Sequence, residues 1–401
     1  MSLTNLNRRH LLAGSAAIAG LGLLPRTAFA QGAPIKIGTL TPLTGSGGPY
    51  GPVMVKAVKA VADEVNAAGG VLGRKVEIVS EDDQTNPDAG VRAARKLIDV
   101  DKVSAIVGTW ASAVTTAVAP LCWDSKTFLA TVSGADSITL LPHQGYLVRT
   151  QPNTTLQGRK FGEFAVEQGG KKVFFLTPQT PFAKSQFDNI TAAVEKAGGK
   201  TGTLIYDDKK PAYRTEIDEA LRFDPDTVIL GGYTADTSVM VKDLFRAGFK
   251  GRKIAFAYSV NQQMLTGIQP EVVEDIFTIA PSTAEGSKAY ERLAKLIGVA
   301  SLDPYTCQVY DQINLILMAI AIGGSDTGTA IKDNIRKVAQ AAGGAKVDNA
   351  LDGLKAIAAK QPVDYDGASG PCDFTDIGDI SDAKFRYEQV KGGKLSLVKI
   401  A

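Results

Sequence analysis

Short β-branched and apolar runs alternate along the chain with stretches whose apolar positions recur every three to four residues. Ile35-Lys36-Ile37-Gly38-Thr39-Leu40 predicts a strand. From Gly51 to Ala68, Val55, Val58, Ala62 and Val65 share one helical face, and Gly69-Gly70 ends the helix. Val76 to Val79 predicts the next strand, Pro87 opens a helix with Asp99 near its end, and Val103 to Val107 predicts a strand. A helix over Ser112–Asp124 and a strand over Thr127–Val132 follow.

The rhythm resumes after Pro152, with helices predicted over 154–169, 182–197, 213–221 and 234–247. Between them, strands are predicted over Lys172–Leu176, 200–206, Thr227–Leu230 and Lys253–Phe256. Alternation of this kind builds parallel sheets covered by helices on both faces, so two α/β lobes are expected. A third series is almost wholly helical: Glu285–Ile297, Pro304–Ile322 and Gly328–Ala342. It has no sheet of its own and makes sense as helices returning to the first lobe. The chain then passes between lobes more than once, which makes a hinge.

A length of 401 residues suits two domains, and 44% hydrophobic with 21% charged residues is a globular composition. Beyond the N-terminal segment no apolar run approaches the roughly 18–20 residues of a membrane helix. The run Ile313–Ile322 contains Asn314 and reads as a buried helix. The 44 basic and 42 acidic residues give +2; the first 30 residues hold three of the basic ones and no acid, so the remainder carries −1. That balance offers no attraction to nucleic acid or an anionic membrane. No cofactor is expected. The only histidines, His10 and His143, and the lack of any CxxC or CxxxC pair argue against a metal site.

Residues 1–30 combine Arg8-Arg9, an apolar stretch Leu11–Leu24 and an A-x-A site at Ala28-Phe29-Ala30. Together they predict a twin-arginine signal peptide cleaved after Ala30, and hence a periplasmic protein. In that compartment Cys307 and Cys372 can pair, leaving Cys122 free; equally, all three read as small buried hydrophobes.

The run IKIGTLTPLTGSGGPYG and the segment VNAAGGVLGRKVEIVSEDDQTNPDAGVRAARKLI resemble the leucine/isoleucine/valine-binding protein family of ABC importers. IVGTWASAVTTAVAPL and VILGGYTADTSVMVKDLFRAGFKG resemble it in the same order, so the likeness spans 34–401. It implies two Rossmann-like lobes with parallel-rich sheets, joined by a three-crossing hinge, with a solute cleft between them. Lobe 1 is then 34–150 plus 282–378, and lobe 2 is 151–281 plus the C-terminal strands, 379–401. Arg149-Thr150-Gln151-Pro152 and Ala280-Pro281-Ser282 sit where crossings are needed. The implied partners are a small-molecule solute and a permease–ATPase complex in the inner membrane, and a monomer is expected.

Ser112 begins a helix after a strand, where anions are favoured; the resemblance makes it a carboxylate ligand, and the plainer reading is a helix N-cap. Trp110 is a pocket wall or a core residue. Ser133-Gly134-Ala135-Asp136-Ser137 resembles a segment that contacts the solute, Ala135 through its backbone and Asp136 or Ser137 through side chains. Tyr50, Phe182 and Tyr233 match aromatic cleft positions. Tyr258 falls near the position where amino-acid-binding members carry an acid for the ligand ammonium. A buried ammonium needs a negative partner, so either Asp136 supplies it or the solute lacks an α-amino group. The second case admits aromatic or aliphatic carboxylates and amides.

Three other readings are weighed. A serine hydrolase using Ser112 needs a base, yet His143 lies in Leu141-Pro142-His143-Gln144-Gly145, which reads as a surface turn, and no GxSxG occurs. The glycines of Gly45-Ser46-Gly47-Gly48 lack the Lys-Ser/Thr of a phosphate loop and predict a flexible cleft loop. A ligand-sensing module of the same fold is the third.

Overall fold

The computed structural model describes residues 32–401; the predicted signal peptide and its cleavage site lie outside the described residues. Five strands form one parallel sheet: β1 (Ile35–Thr41), β2 (Val76–Asp82), β3 (Ala105–Thr109), β4 (Phe128–Thr131) and β5 (Leu147–Arg149). Their order is β2-β1-β3-β4-β5. The connecting helices are α1 (Gly51–Ala67), α2 (Pro87–Arg95) and α3 (Ser112–Ser125).

The chain then crosses to lobe 2. There α4 (Thr154–Glu167), α5 (Pro181–Lys196), α6 (Arg214–Arg222), α7 (Thr234–Arg246), α8 (Gln262–Gly267) and α9 (Pro270–Val273) alternate with β6 (Lys172–Pro178), β7 (Lys200–Tyr206), β8 (Thr227–Leu230), β9 (Arg252–Phe256) and β10 (Ile276–Pro281). A second crossing leads to α10 (Lys288–Ile297), α11 (Pro304–Gly323), α12 (Gly328–Ala339) and α13 (Ala350–Ala358). A small sheet of β11 (Ala345–Val347), β12 (Val363–Gly367) and β13 (Gly370–Pro371) accompanies them. A third crossing returns to β14 (Phe385–Lys391) and β15 (Lys394–Ile400), which extend the lobe 2 sheet antiparallel from β10. That sheet has the order β15-β14-β10-β9-β8-β6-β7.

Why α11 sits where it does follows from its composition. It is rich in apolar residues, carries no charge but Asp311, and is buried from Tyr305 to Ile320, as expected of a helix inside a core rather than on a surface. It packs in one continuous apolar cluster with β1, β3, α1 and α3. Among the described residues no single helix is long and apolar enough to cross a membrane. In lobe 2, alternate residues of β6, β8 and β9 feed two clusters, Phe174, Leu176 and Val228 on one face and Val173, Phe175 and Ile229 on the other.

The three crossings are tied together. Fully buried Arg149, at the end of β5, pairs with Asp379 of the third crossing at 2.5 Å, and its backbone N–H donates to the Gly378 carbonyl at 2.9 Å. Ser282 N–H donates to the Lys384 carbonyl at 2.7 Å, joining the second crossing to the third.

One open choice is settled and two expectations are corrected. Cys122, Cys307 and Cys372 are buried thiols without a bridge. His143 is buried, not on a surface turn; its Nδ1 accepts from Gly145 N–H at 3.2 Å, closing the turn from within. The loop after β1 is pinned: Leu43 and Thr44 N–H donate to Asp82 Oδ1 at 2.9 and 3.2 Å, and Gly47 N–H to Thr85 Oγ1 at 2.9 Å. Gly45, at φ +78°, passes so close to Gln84 that a Cβ would lie 2.2 Å from its carbonyl oxygen.

Candidate functional site

The strands of both parallel series end at one cleft, and a cavity of about 620 Å³ lies there. Its wall is aromatic. Trp110, following β3, stacks on Tyr50 with ring centroids 5.8 Å apart and meets Tyr305 edge-on at 5.6 Å. From lobe 2, Tyr233 and Tyr258 approach the same indole at 5.9 and 5.6 Å. Phe182, at the start of α5, extends the wall at 6.4 Å from Tyr258. These rings pack against one another, mostly edge to face, so they form a continuous aromatic wall.

Five helices begin at the cleft, and three satisfy their own first turns. Asn86, Thr180 and Asp303 each accept a hydrogen bond from the helix they cap, at 3.0 Å in each case. The other two, α3 and α7, start from Ala111 and Tyr233 with no side-chain cap. In α7, Asp236 in the first turn opposes the positive end of the helix, whereas α3 has no acid there. The α3 terminus is therefore the place in the cavity where an anion is best stabilised.

Ser112 is the first helical residue of α3, not its cap. Its Oγ accepts from Ala135 N–H at 3.2 Å, which leaves the hydroxyl hydrogen free to donate. Behind it, hydroxyls fix the strand ends: Thr109 Oγ1 donates to Thr131 Oγ1 at 2.8 Å, and Ser133 Oγ donates to the Trp110 carbonyl at 2.9 Å. Arg149 holds the next segment from beneath, donating to the Gly134 and Ala135 carbonyls at 3.0 and 2.7 Å.

Of the residues singled out from the sequence, Trp110, Ser112, Phe182, Tyr233 and Tyr258 line the cavity. Tyr50 backs the wall through Trp110, and Ala135 is wholly buried with its N–H on Ser112. Asp136 and Ser137 lie elsewhere. Ser137 is exposed. The Asp136 carboxylate accepts from Thr155 N–H and Oγ1 at 2.9 and 3.0 Å, Ser185 Oγ at 2.8 Å and Asn189 Nδ2 at 3.1 Å, so it faces α4 and α5. Burial alone would raise this carboxyl; hydrogen bonds from Thr155, Ser185 and Thr154 outweigh it and hold it below the usual carboxylate range.

The lining also includes Gln151, Tyr305, and Asp208 with Lys209, which sequence reasoning did not single out. Asp208 is the only carboxylate among the described lining residues, and it stands half-exposed beside Lys209 Nζ at 3.7 Å. Tyr305 follows Asp303-Pro304, a cap-and-proline helix start that marks it as cleft-facing once α11 is known to end there.

Fold and cleft together define a two-lobed solute-binding protein of the type I periplasmic architecture. The chain belongs to the periplasmic binding protein family, whose profile matches residues 34–375. It is 24% identical over 356 residues to the chemotactic signal transduction system substrate-binding protein BasB of Halobacterium salinarum, covering 86% of this chain and 84% of that one. It is 23% identical to a Leu/Ile/Val-binding protein homolog of Brucella melitensis, covering 92% and 94%. Among solved structures it resembles a leucine-binding protein of Thermotoga maritima (TM-score 0.77, 21% identity, 91% and 98% covered). It also resembles an ABC transporter solute-binding protein of R. palustris in complex with benzoate (TM-score 0.72, 18% identity, 92% and 96% covered). These relatives are binding proteins, and this chain is one too, not an enzyme.

Proposed function

We propose that this protein is exported to the periplasm and serves an ABC importer, capturing a small organic acid without an α-amino group and delivering it to the permease. The acid's carboxylate sits at the α3 terminus, taking the Ser112 hydroxyl and first-turn N–H groups. Its apolar body lies against Trp110, Tyr233, Tyr258 and Phe182. The observation that carries this reading is the destination of Asp136: its carboxylate is spent on α4 and α5, and no interior acid among the described lining residues remains to neutralise an ammonium. The structural neighbour crystallised with benzoate supports the class of solute. Lobe closure is stabilised only by a solute that touches both lobes, so binding and docking to the permease are linked.

Titration calorimetry of the purified protein with benzoate, hydroxybenzoates, short aliphatic acids, leucine, isoleucine and benzamide tests the reading. Binding of the acids, with amino acids and amide much weaker, is the expected result. Tight binding of leucine with no response to any plain acid would refute it. The relative named as a chemotactic component favours a second reading, a sensing module. Solute-dependent stimulation of ATP hydrolysis by the cognate permease–ATPase complex separates the two, since a sensor produces none.

A further inference from the structure

A buried chain of side-chain amides runs from the frame of lobe 1 to the cavity and ends on a donor with no protein acceptor. It starts at Gly108 N–H, which donates to Gln312 Oε1 at 3.1 Å. That bond fixes the Gln312 amide, whose Nε2 donates to Thr150 Oγ1 at 2.9 Å. Thr150 donates onward to the Gln308 carbonyl at 3.4 Å, and Gln308 Nε2 donates to Gln151 Oε1 at 2.6 Å. All four side chains are buried, Gln151 at 3% exposure. Gln151 lines the cavity, and among the described residues nothing accepts from its Nε2.

Which end of the Gln151 amide faces the cavity follows from what each arrangement leaves unpaired. As the pair stands, the group stranded in the interior is Gln308 Oε1, an acceptor. Turning both amides over would strand an NH₂ there instead. Orphaned buried N–H groups are rarer than under-used carbonyl oxygens, and leaving one costs the full desolvation of the donor. The chain therefore presents an N–H to the solute.

Its place in the sheet shows which part of the solute it meets. Ser112 follows β3, Gly134 follows β4 and Gln151 follows β5, and these strands are consecutive. Two strand spacings separate the Ser112 and Gln151 backbones by on the order of 10 Å. That span is longer than one carboxylate and comparable to a small ring with a polar group at each end.

We propose that Gln151 is a specificity-determining residue that donates to a second oxygen of the solute. The protein then takes acids bearing a hydroxyl, keto or second carboxyl group remote from the carboxylate. This rests on the acid reading above and adds the class of acid to it.

The test is calorimetry with benzoate, 3-hydroxybenzoate, 4-hydroxybenzoate and terephthalate, on the parent protein and on Gln151→Met. The parent should bind at least one ring-oxygenated acid about tenfold or more tighter than benzoate, because a site built to pair with an oxygen discriminates against the analogue lacking it. Gln151→Met should lose that preference, its affinities for benzoate and for the oxygenated acid converging to within about threefold of each other. Gln151→Glu keeps an oxygen for Gln308 and replaces the donor with an acceptor; it should lose any preference for terephthalate, whose remote carboxylate has no hydrogen to give, and it serves if the methionine variant does not fold. Equal binding of all four acids by the parent overturns the proposal. So does a preference for the oxygenated acid that survives in Gln151→Met, or a preference for terephthalate that survives in Gln151→Glu. If the parent binds none of the acids, the acid reading itself falls and takes this inference with it.

Discussion

The Tyr50 hydroxyl donates to the Tyr258 carbonyl at 2.9 Å, joining the loop after β1 in lobe 1 to the loop after β9 in lobe 2. The same pair of loops brings the Trp110 indole against the Tyr258 ring. The structure is thus a closed arrangement, and its closing contacts fall into two groups: aromatic ones at the cavity and polar ones at Asp136.

Tyr50→Phe removes only the oxygen of that bond and leaves the ring on Trp110. One neutral hydrogen bond contributes about 1 kcal/mol. Solute affinity should fall about three- to tenfold with little change in the melting temperature of the solute-free protein. Calorimetry beside a thermal melt measures both.

Asp136 belongs to the turn after β4, yet its carboxylate is held by Thr155 of α4 and by Ser185 and Asn189 of α5. It braces the turn after β4 against α4 and α5 and does not line the cavity. Asp136→Ala should weaken solute binding about tenfold or more and enlarge the solute-free radius of gyration in small-angle scattering. Its carboxyl is held below the ordinary range, so its contribution is present above the unfolded value near 3.8 and is lost as pH falls through the depressed folded value. Acid-induced opening below about pH 4 should therefore be absent from the Asp136→Ala protein, which is already loosened.

Ser112→Ala deletes a hydroxyl that donates to the proposed carboxylate but leaves α3 without a lost cap, because Ala111 is the cap residue. A charge-assisted hydrogen bond contributes about 1.5–3 kcal/mol, so acid affinity should drop more than about tenfold. The apo melting point should fall modestly, because the buried Ala135 N–H loses its acceptor at a cost of about 1–3 kcal/mol. An early-melting variant that binds normally once folded would assign Ser112 to the framework instead.

Asp83 is wholly buried after β2; its Oδ1 accepts from Thr85 N–H at 2.7 Å, and its Oδ2 has no partner among the described residues. Burial pushes this carboxyl up to about 7, aided by the charge of Asp82 and opposed by the Thr85 bond. A carboxyl raised on folding favours the native state at low pH, and that advantage declines as pH rises from about 4 to about 7. Asp83→Asn keeps the acceptor for Thr85 and removes the titration. Denaturant melts should find the variant more stable than the parent at pH 8, by up to about 4 kcal/mol, and nearly equal at pH 4.

The sequence pattern reaches the fold further than it reaches the site. Strands β1 to β4 and β6 to β9 announce themselves by β-branched runs between helical periods. β5 does not, because it is only three residues long and ends on Arg149, and β10 runs into its crossing residue Pro281 within the strand. The strand-end rule leads to the loops of the cavity, where Trp110, Ser112 and Tyr233 are found together. It says nothing of which way a side chain turns, and Asp136 shows the consequence: its partners come from helices that begin 18 and 45 residues later in the chain. Gln151 was hidden for a related reason, since Pro152 marks it only as a linker. Its role depends on Gln308 of a helix more than 150 positions away.

The burial of α11 inside the first sheet also governs how the molecule is made. A ribosome that has synthesised residues up to β10 has produced the whole first sheet, but not the helix that covers it. Until residues 304–323 emerge, apolar faces of β1 and β3 have no native partner and must be shielded by provisional contacts or chaperones. The second lobe waits even longer, since its β14 and β15 are translated after α11 to α13. Neither lobe of this protein can be completed before the chain beyond the second crossing exists, so the two lobes mature together.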